Sequence, residues 1–200
     1  MTRLAALYSG TAPQRRTLLD SEYARYVDEV VHVRDLSMVD LSAFDRLLVP
    51  SRLHLGALHE GRDAIFDFLD GGGDAAVFGG QPDPWLPELS WTHRPTNFWW
   101  WLNADGDSGL RFPRDDHPFF EAVPPRDCTW HFHGAFDAPA DADVLVTDVD
   151  GDAVLYLDRE TWTGDLVATT LDPTYHYGSY FMPATDRFLA GFLPWFRDEF

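Results

Sequence analysis

His131 and His133 flank Phe132 in a segment of strand composition. Alternate residues of a β-strand share one face, so both imidazoles are expected to point the same way. Imidazoles placed like this suit zinc or another transition metal, with a third ligand from Asp137, Asp172 or His176. Hydrogen bonds to strand neighbours are the competing role for the pair. A second constellation lies in the aromatic and polar run Asp172-Pro173-Thr174-Tyr175-His176-Tyr177-Gly178-Ser179-Tyr180-Phe181. There Asp172 and His176 would serve as an acid and base pair, with Tyr177 against a ligand. The same run would equally serve as a packed loop capping the last helix.

Gln81, Asp83 and Trp85 directly follow the turn Gly79-Gly80, and Thr96-Asn97-Phe98-Trp99-Trp100-Trp101 lies downstream. Aromatic faces beside amides and carboxylates suit a sugar, whose C–H faces stack on indole while its hydroxyls meet polar groups. Asn97 and Trp99 are therefore expected at the ligand. Three consecutive Trp cannot share one strand face, so at least one of them packs. Arg52 and His54 follow a strand that ends at Pro50, and Arg52 is placed to hold an anion or carboxylate. A surface ion pair to one of the many Asp residues is its plainer role. The Asp-rich stretch 137–152 lacks the spacing of a calcium loop and reads as a solvated face.

These residues need a scaffold, and the hydrophobic pattern supplies one. Leu4-Ala5-Ala6-Leu7-Tyr8 reads as a short buried strand. Thr11 and Pro13 then open a helix carried to about Tyr26 by Leu18, Leu19 and Tyr23. Residues 30–33, 44–50 and 75–78 read as further strands, with a helix over 61–69 stopped by Gly71-Gly72-Gly73. Alternating strands and helices imply a parallel sheet, whose carboxyl edge is where ligands bind. Residues 81–126 are Pro- and Trp-rich and are expected as an insertion over that edge, with a short helix at 117–123. Strands follow at 129–136, 143–147, 153–157 and 166–170, with a hairpin turn at Val149-Asp150-Gly151-Asp152. An apolar stripe of Phe188, Leu189, Phe192, Leu193 and Phe196 marks a closing helix over 184–196.

The 200 residues suit one domain, and 45% hydrophobic content gives it a full core. Acidic residues outnumber basic ones 33 to 15, for a formal net charge of −18, and every basic residue is Arg. A halophilic surface and a GC-rich genome both produce this pattern. Either way the field repels phosphate backbones and anionic membranes, so neither nucleic acid nor membrane is an expected partner. The lone Cys128 cannot form an internal disulfide and reads as a small buried hydrophobe. The first apolar run is too short for a signal peptide or membrane span, so a cytoplasmic location is expected.

The order of these segments resembles the class I glutamine amidotransferase-like superfamily, and within it the trehalose-utilisation (ThuA-like) branch. The matching segments are Phe44-Asp45-Arg46-Leu47-Leu48-Val49-Pro50, Ile65-Phe66-Asp67-Phe68-Leu69-Asp70-Gly71-Gly72-Gly73, Asp116-His117-Pro118, the run from Gly164 to Pro173, and the final helix ending in Pro194-Trp195. The resemblance implies a single domain over residues 1–200. It would be a flavodoxin-like three-layer α/β sandwich with a mainly parallel central sheet and a strand-rich last third. Three departures bear on activity. The turn after the fourth strand, Phe78-Gly79-Gly80-Gln81, carries no thiol. Pro50-Ser51-Arg52 replaces the family's Pro-Gly-Gly, and Leu171-Asp172-Pro173 stands where the family has His-Pro-Glu. Nucleophile, base and oxyanion turn act together, so glutamine hydrolysis is not expected.

What remains is a protein that binds or processes a small polar, carbohydrate-like ligand at the carboxyl edge of the sheet. Asp172 and His176 are its expected acid and base. No cofactor is expected, a divalent metal at His131 and His133 being the alternative. A non-catalytic interaction or homo-oligomerisation module and a metal-dependent hydrolase are the competing readings.

Overall fold

The structure is a computed structural model and describes residues 2–179 and 182–200. Nine strands form one sheet among these residues: β1 (Leu4–Tyr8), β2 (Glu29–His32), β3 (Arg46–Val49), β4 (Asp74–Phe78), β5 (Trp91–His93), β6 (Gly134–Phe136), β7 (Asp143–Thr147), β8 (Ala153–Asp158) and β9 (Leu166–Thr169). Their order is β2-β1-β3-β4-β9-β8-β6-β5, with β7 paired to β8. The run β2-β1-β3-β4-β9 is parallel throughout. From β8 onward the pairing is antiparallel.

The parallel strands are short apolar runs because both of their faces are covered. Side chains alternate between two cores, as a period of two requires. Ala5, Leu7, Leu47, Val49, Ala75, Val77, Leu166 and Ala168 enter one core. Leu4, Ala6, Leu48, Ala76, Phe78 and Val167 enter the other. The first core is closed by helix α2 (Leu55–Asp70) through Ala57, Leu58, Ile65, Phe68 and Leu69. The second is closed by helix α5 (Pro183–Asp198) through the expected stripe Phe188, Leu189, Phe192, Leu193 and Phe196. The result is a mixed α/β sandwich in three layers, as the segment order implies.

Several boundaries differ from the sequence reading, each for a local reason. Helix α2 begins at Leu55, not Gly61, because the His54 imidazole Nδ1 accepts the Ala57 N–H at 3.1 Å and caps it. It ends in a turn in which Gly73 N–H reaches Phe68 O and Gly72 N–H reaches Leu69 O, with Gly72 at φ +89°. The helix capped by Thr11 is regular only over α1 (Ala12–Arg15), then widens over Arg16–Asp20 and tightens over Glu22–Tyr26. Within residues 81–126, Trp91–His93 pairs with β6 as the terminal strand of the sheet, so this segment contributes a strand to the sheet. The short helix read at 117–123 is α3 (Phe119–Ala122). The strand read at 129–136 is regular only over Gly134–Phe136, so His131 and His133 lie just before it. The loop expected after Asp172 is helix α4 (Pro173–Gly178). Tyr180 and Phe181 of that run lie outside the described residues. Among the described residues no helix is long and apolar enough to cross a membrane.

Candidate functional site

Three neighbouring parallel strands, β3, β4 and β9, deliver their carboxyl ends to one place. The chain leaves β3 as Pro50-Ser51-Arg52, β4 as Gly79-Gly80-Gln81 and β9 as Thr170-Leu171-Asp172. Gly79 stands at φ +86°, and its N–H donates to Thr169 O and Leu171 O, both at 2.8 Å. A Cβ at Gly79 would lie 2.5 Å from Ser51 Cβ, so the β3 and β4 exits touch only because the residue is glycine. Arg52 is the single non-glycine residue with positive φ, at 59°, among the described residues. Gln14 is buried beneath this edge, its side chain donating to Ser51 O at 2.8 Å and accepting the Ser9 N–H at 2.9 Å.

Asp172 joins the exits to α4. Its Oδ1 accepts the Ser51 hydroxyl and, at 3.4 Å, the Tyr175 N–H, which caps the helix. Its Oδ2 meets Arg52 Nε at 3.3 Å, while the Arg52 guanidinium lies 3.7 Å from the Tyr175 ring centroid. Burial pushes this carboxyl above the ordinary carboxylate range, with Ser51 and Arg52 pulling the other way. Residues 173–178 are modest helix formers. They are helical because Asp172 caps them, Pro173 fits the first turn, and the widened segment after α1 holds them from outside. Thr17 Oγ1 donates to Thr174 O at 2.8 Å, and Arg16 donates to Gly178 O at 3.0 Å.

The helix carries His176 inward to His131 and His133. One side-chain nitrogen from each of the three lies within 4.8 Å of the other two. The His131 ring is 4.8 Å from that of His176 and 5.2 Å from that of His133, with Phe98 packed on it at 4.7 Å. His133 Nδ1 lies 2.8 Å from Thr96 Oγ1, whose hydroxyl also reaches Phe132 O at 3.2 Å. With its proton on Phe132 O, the hydroxyl accepts from Nδ1–H, which leaves His133 Nε2 as the basic nitrogen. Burial, reinforced by His133, pulls His131 down to about 4 from the usual 6.5, and burial with both other histidines pulls His176 down to about 3. Burial lowers His133 as well. The three rings are neutral at pH 7.

This neutrality has a pH signature in the metal-free protein. The unfolded chain takes up protons near pH 6.5 while His131 and His176 in the folded chain do not until far lower, so stability falls as pH drops below about 6.5. The loss is up to ~1.4 kcal/mol per pH unit for each histidine involved. Urea unfolding between pH 7.5 and 5 is expected to show this slope, and His131→Gln to reduce it by about one proton. An unchanged slope in the variant would contradict the assignment.

Two cavities flank the cluster. One, of about 260 Å³, sits over the strand exits and includes Ser51, Arg52, Gly80, Gln81, Trp91, His133, Thr170 and Asp172 in its walls. The other, of about 450 Å³, is apolar and lies between Phe98, the three Trp from 99 to 101, Trp130, His131 and Pro183. Of the residues expected from sequence, Arg52, Gln81, Trp85 and Asp172 share the first cavity and Trp99 lines the second. Gln81 and Trp85 are buried and satisfy each other, Trp85 Nε1 donating to Gln81 Oε1 at 3.2 Å. Four others stand elsewhere. His54 is exposed and caps α2. Asp83 is exposed and pairs with His59 at 3.2 Å. Asn97 faces a groove with Arg94 and Asp148. Tyr177 packs edge-on against Tyr23, at 5.1 Å between ring centroids. The expected acid and base pair is divided between two groupings, Asp172 with Ser51 and Arg52, His176 with the other histidines.

Sequence reading passed over Ser51, Gln14, Thr96, Thr170 and Trp91. Trp91 roofs the edge, since a Cβ on Gly80 would lie 2.8 Å from its ring. Its Nε1 and the Thr170 hydroxyl are buried with no hydrogen-bond partner among the described residues. A Trp opening a strand opposite a Gly-Gly turn was the available signal. Cys128 is fully buried in the core beneath α5, where burial pushes its thiol up and keeps it inert.

No family model matches the chain, and no curated protein matches it in sequence. Solved structures do. A cytoplasmic protein from Salmonella typhimurium LT2 superposes with a TM-score of 0.59 at 12% identity, over 99% of this chain and 100% of its own. Another cytoplasmic protein of Salmonella typhimurium gives 0.57 at 15%, over 98% of both chains. A protein from Thermoplasma acidophilum, provisionally described as a GMP synthase subunit, gives 0.55 at 14%, over 99% of this chain and 96% of its own. At these identities the likeness is one of fold alone, that of a mixed α/β domain around a central sheet.

Proposed function

We propose that the protein binds a small polar, carbohydrate-like ligand in the 260 Å³ cavity at the carboxyl edge of its sheet, without amidotransferase chemistry. The observation that carries the reading is that two residues of that cavity's walls, Trp91 and Thr170, each bury a donor, Nε1–H and the hydroxyl, with no hydrogen-bond partner among the described residues. Buried polar groups are nearly always satisfied, so two unsatisfied ones on residues that line one cavity favour oxygen acceptors brought by a ligand. Arg52 and Asp172 add a cation and an anion at the rim, and the Trp91 ring adds an aromatic wall. The volume lies below the ~300–1,000 Å³ of drug-sized sites, which suits a ligand no larger than a monosaccharide or a small sugar acid. Glutamine hydrolysis lacks its nucleophile, since the turn after β4 is Gly79-Gly80-Gln81. The segment order favours the ThuA-like branch of the superfamily.

Thermal-shift and calorimetric titration with monosaccharides, disaccharides and sugar acids tests this. A ligand at 100 times its Kd is expected to add ~2.7 kcal/mol to stability. Trp91→Phe, which removes only the indole N–H and some ring area, is expected to weaken binding about fivefold, one hydrogen bond's worth. A panel without a single shift, or equal affinities in the variant, refutes the reading. No ammonia release from glutamine is expected.

A second reading has its own observation. Phe98, Trp99, Trp101 and Leu102 are exposed, Trp99 by 65%, and form an apolar surface next to the larger cavity. A homo-oligomer burying this patch would make it an association module. Sedimentation of the full chain, with Trp99→Ser/Trp101→Ser as the comparison, decides between a dimer that dissociates in the variant and a monomer in both.

A further inference from the structure

We propose that His131, His133 and His176 form a binding site for one divalent transition metal of the zinc class. The inference goes beyond the ligand reading and does not depend on it. Two ligands come from the stretch before β6 and one from α4, so segments more than forty residues apart in sequence converge on one point. The three nitrogens lie within 4.8 Å of one another. Around a tetrahedral ion with bonds of ~2.0–2.1 Å, ligand nitrogens stand ~3.3–3.4 Å apart, so the widest pair closes by about 1.5 Å. Rotation of the imidazoles about their own side-chain bonds is the movement that would close it.

The donor set selects the metal. Three imidazoles with no carboxylate among them suit zinc, cobalt, nickel or copper(II) and offer nothing to magnesium or calcium, which take oxygen ligands. Two contacts hold the set in place in the manner of a metal's supporting shell. Thr96 Oγ1 accepts a hydrogen bond from His133 Nδ1–H, which leaves Nε2 unprotonated for use as a ligand. Asp172 caps the helix that carries His176. Three protein ligands leave a fourth position for water or a ligand oxygen, the arrangement of open rather than purely structural sites. His131 lines the apolar cavity and His133 the sheet-edge cavity, so the site stands where the two approach.

The test uses the untagged full chain, stripped with chelator and titrated with Zn²⁺ and Co²⁺. One equivalent is expected to bind, Co²⁺ with the intense visible absorption of four- or five-coordinate cobalt, while Mg²⁺ and Ca²⁺ do not compete. His133→Ala and His176→Gln are expected to abolish stoichiometric binding. Thr96→Val, which removes the hydroxyl and leaves all three ligands, is expected to weaken it about 10- to 100-fold. His32→Ala, on β2 at the opposite edge of the sheet from β6, should change nothing. Less than one equivalent in the wild-type chain overturns the proposal, as does undiminished binding in folded His133→Ala. If the histidine variants fail to fold, the wild-type cobalt spectrum decides: weak six-coordinate absorption overturns the site.

Discussion

Gly79→Ala is expected to lose about 2–5 kcal/mol of stability, a fall in Tm of roughly 4–20 °C for a chain of this length. Two effects add. The residue sits at φ +86°, where an L side chain costs ~1–2 kcal/mol. The new Cβ would also stand 2.5 Å from Ser51 Cβ, well inside the ~3.5–4.0 Å of ordinary carbon contacts. Relief requires the β3 exit to move, and overpacking of this kind costs ~1–3 kcal/mol. Gly10 supplies the control: its φ is +83° but nothing lies within 4 Å of its Cβ position. Gly10→Ala should therefore show only the backbone part, and thermal and urea unfolding of both variants separates strain from clash. Equal losses would mean that the two strand exits do not touch as described. The same geometry predicts that Gly79→Cys is destabilised and still releases no ammonia from glutamine, because a thiol there meets Ser51 in place of an open oxyanion turn.

Asp172→Ala should lose about 1.5–5 kcal/mol, and Asp172→Asn less than about 1.5. The alanine variant removes the cap of α4, at ~0.5–2 kcal/mol, and leaves the Ser51 hydroxyl buried without its acceptor, at ~1–3 kcal/mol. The Arg52 contact adds little, since that side chain is half exposed. Asparagine keeps an oxygen for Ser51 and Tyr175. It also removes a carboxylate whose pKa is raised in the fold. A raised value means that the folded state holds the proton more tightly than the unfolded chain, so the group's contribution falls as pH rises through its folded pKa. Asparagine is free of that cost at neutral pH. Denaturant unfolding with far-ultraviolet circular dichroism measures both variants. An alanine variant as stable as wild type would show that Asp172 does not hold α4.

The parallel half of the sheet was legible because its strands are simple. Leu4-Ala5-Ala6-Leu7 and Ala75-Ala76-Val77-Phe78 are apolar on both faces, and helical periods separate them. The Gly79-Gly80 bend and the arrival of Asp172 beside it follow from strand order alone. The two histidines before β6 were legible as a pair, but the choice of His176 as their companion needed α4. That helix reads as a loop since Thr174, Tyr175 and Tyr177 favour strands or loops by propensity. Only the Asp-Pro start marked a cap followed by a first-turn proline. His54 illustrates the converse: an imidazole at the end of a strand looks available for a ligand, yet its nitrogen is used by the first turn of α2. Trp91 escaped notice because three residues carry too little pattern to announce an edge strand, and its partner β6 lies more than forty residues further on.

The hydrogen bond between Ser51 and Asp172 spans 121 positions of chain, and His131 waits for His176 in the same late segment. On the ribosome, therefore, a nascent chain can lay down β1 to β4 and still possess no site. The pocket comes into being only when β9 has slotted in beside β4 and the segment behind it has emerged from the exit tunnel. Function is thereby reserved for chains translated past α4, and a product terminated before it is inert.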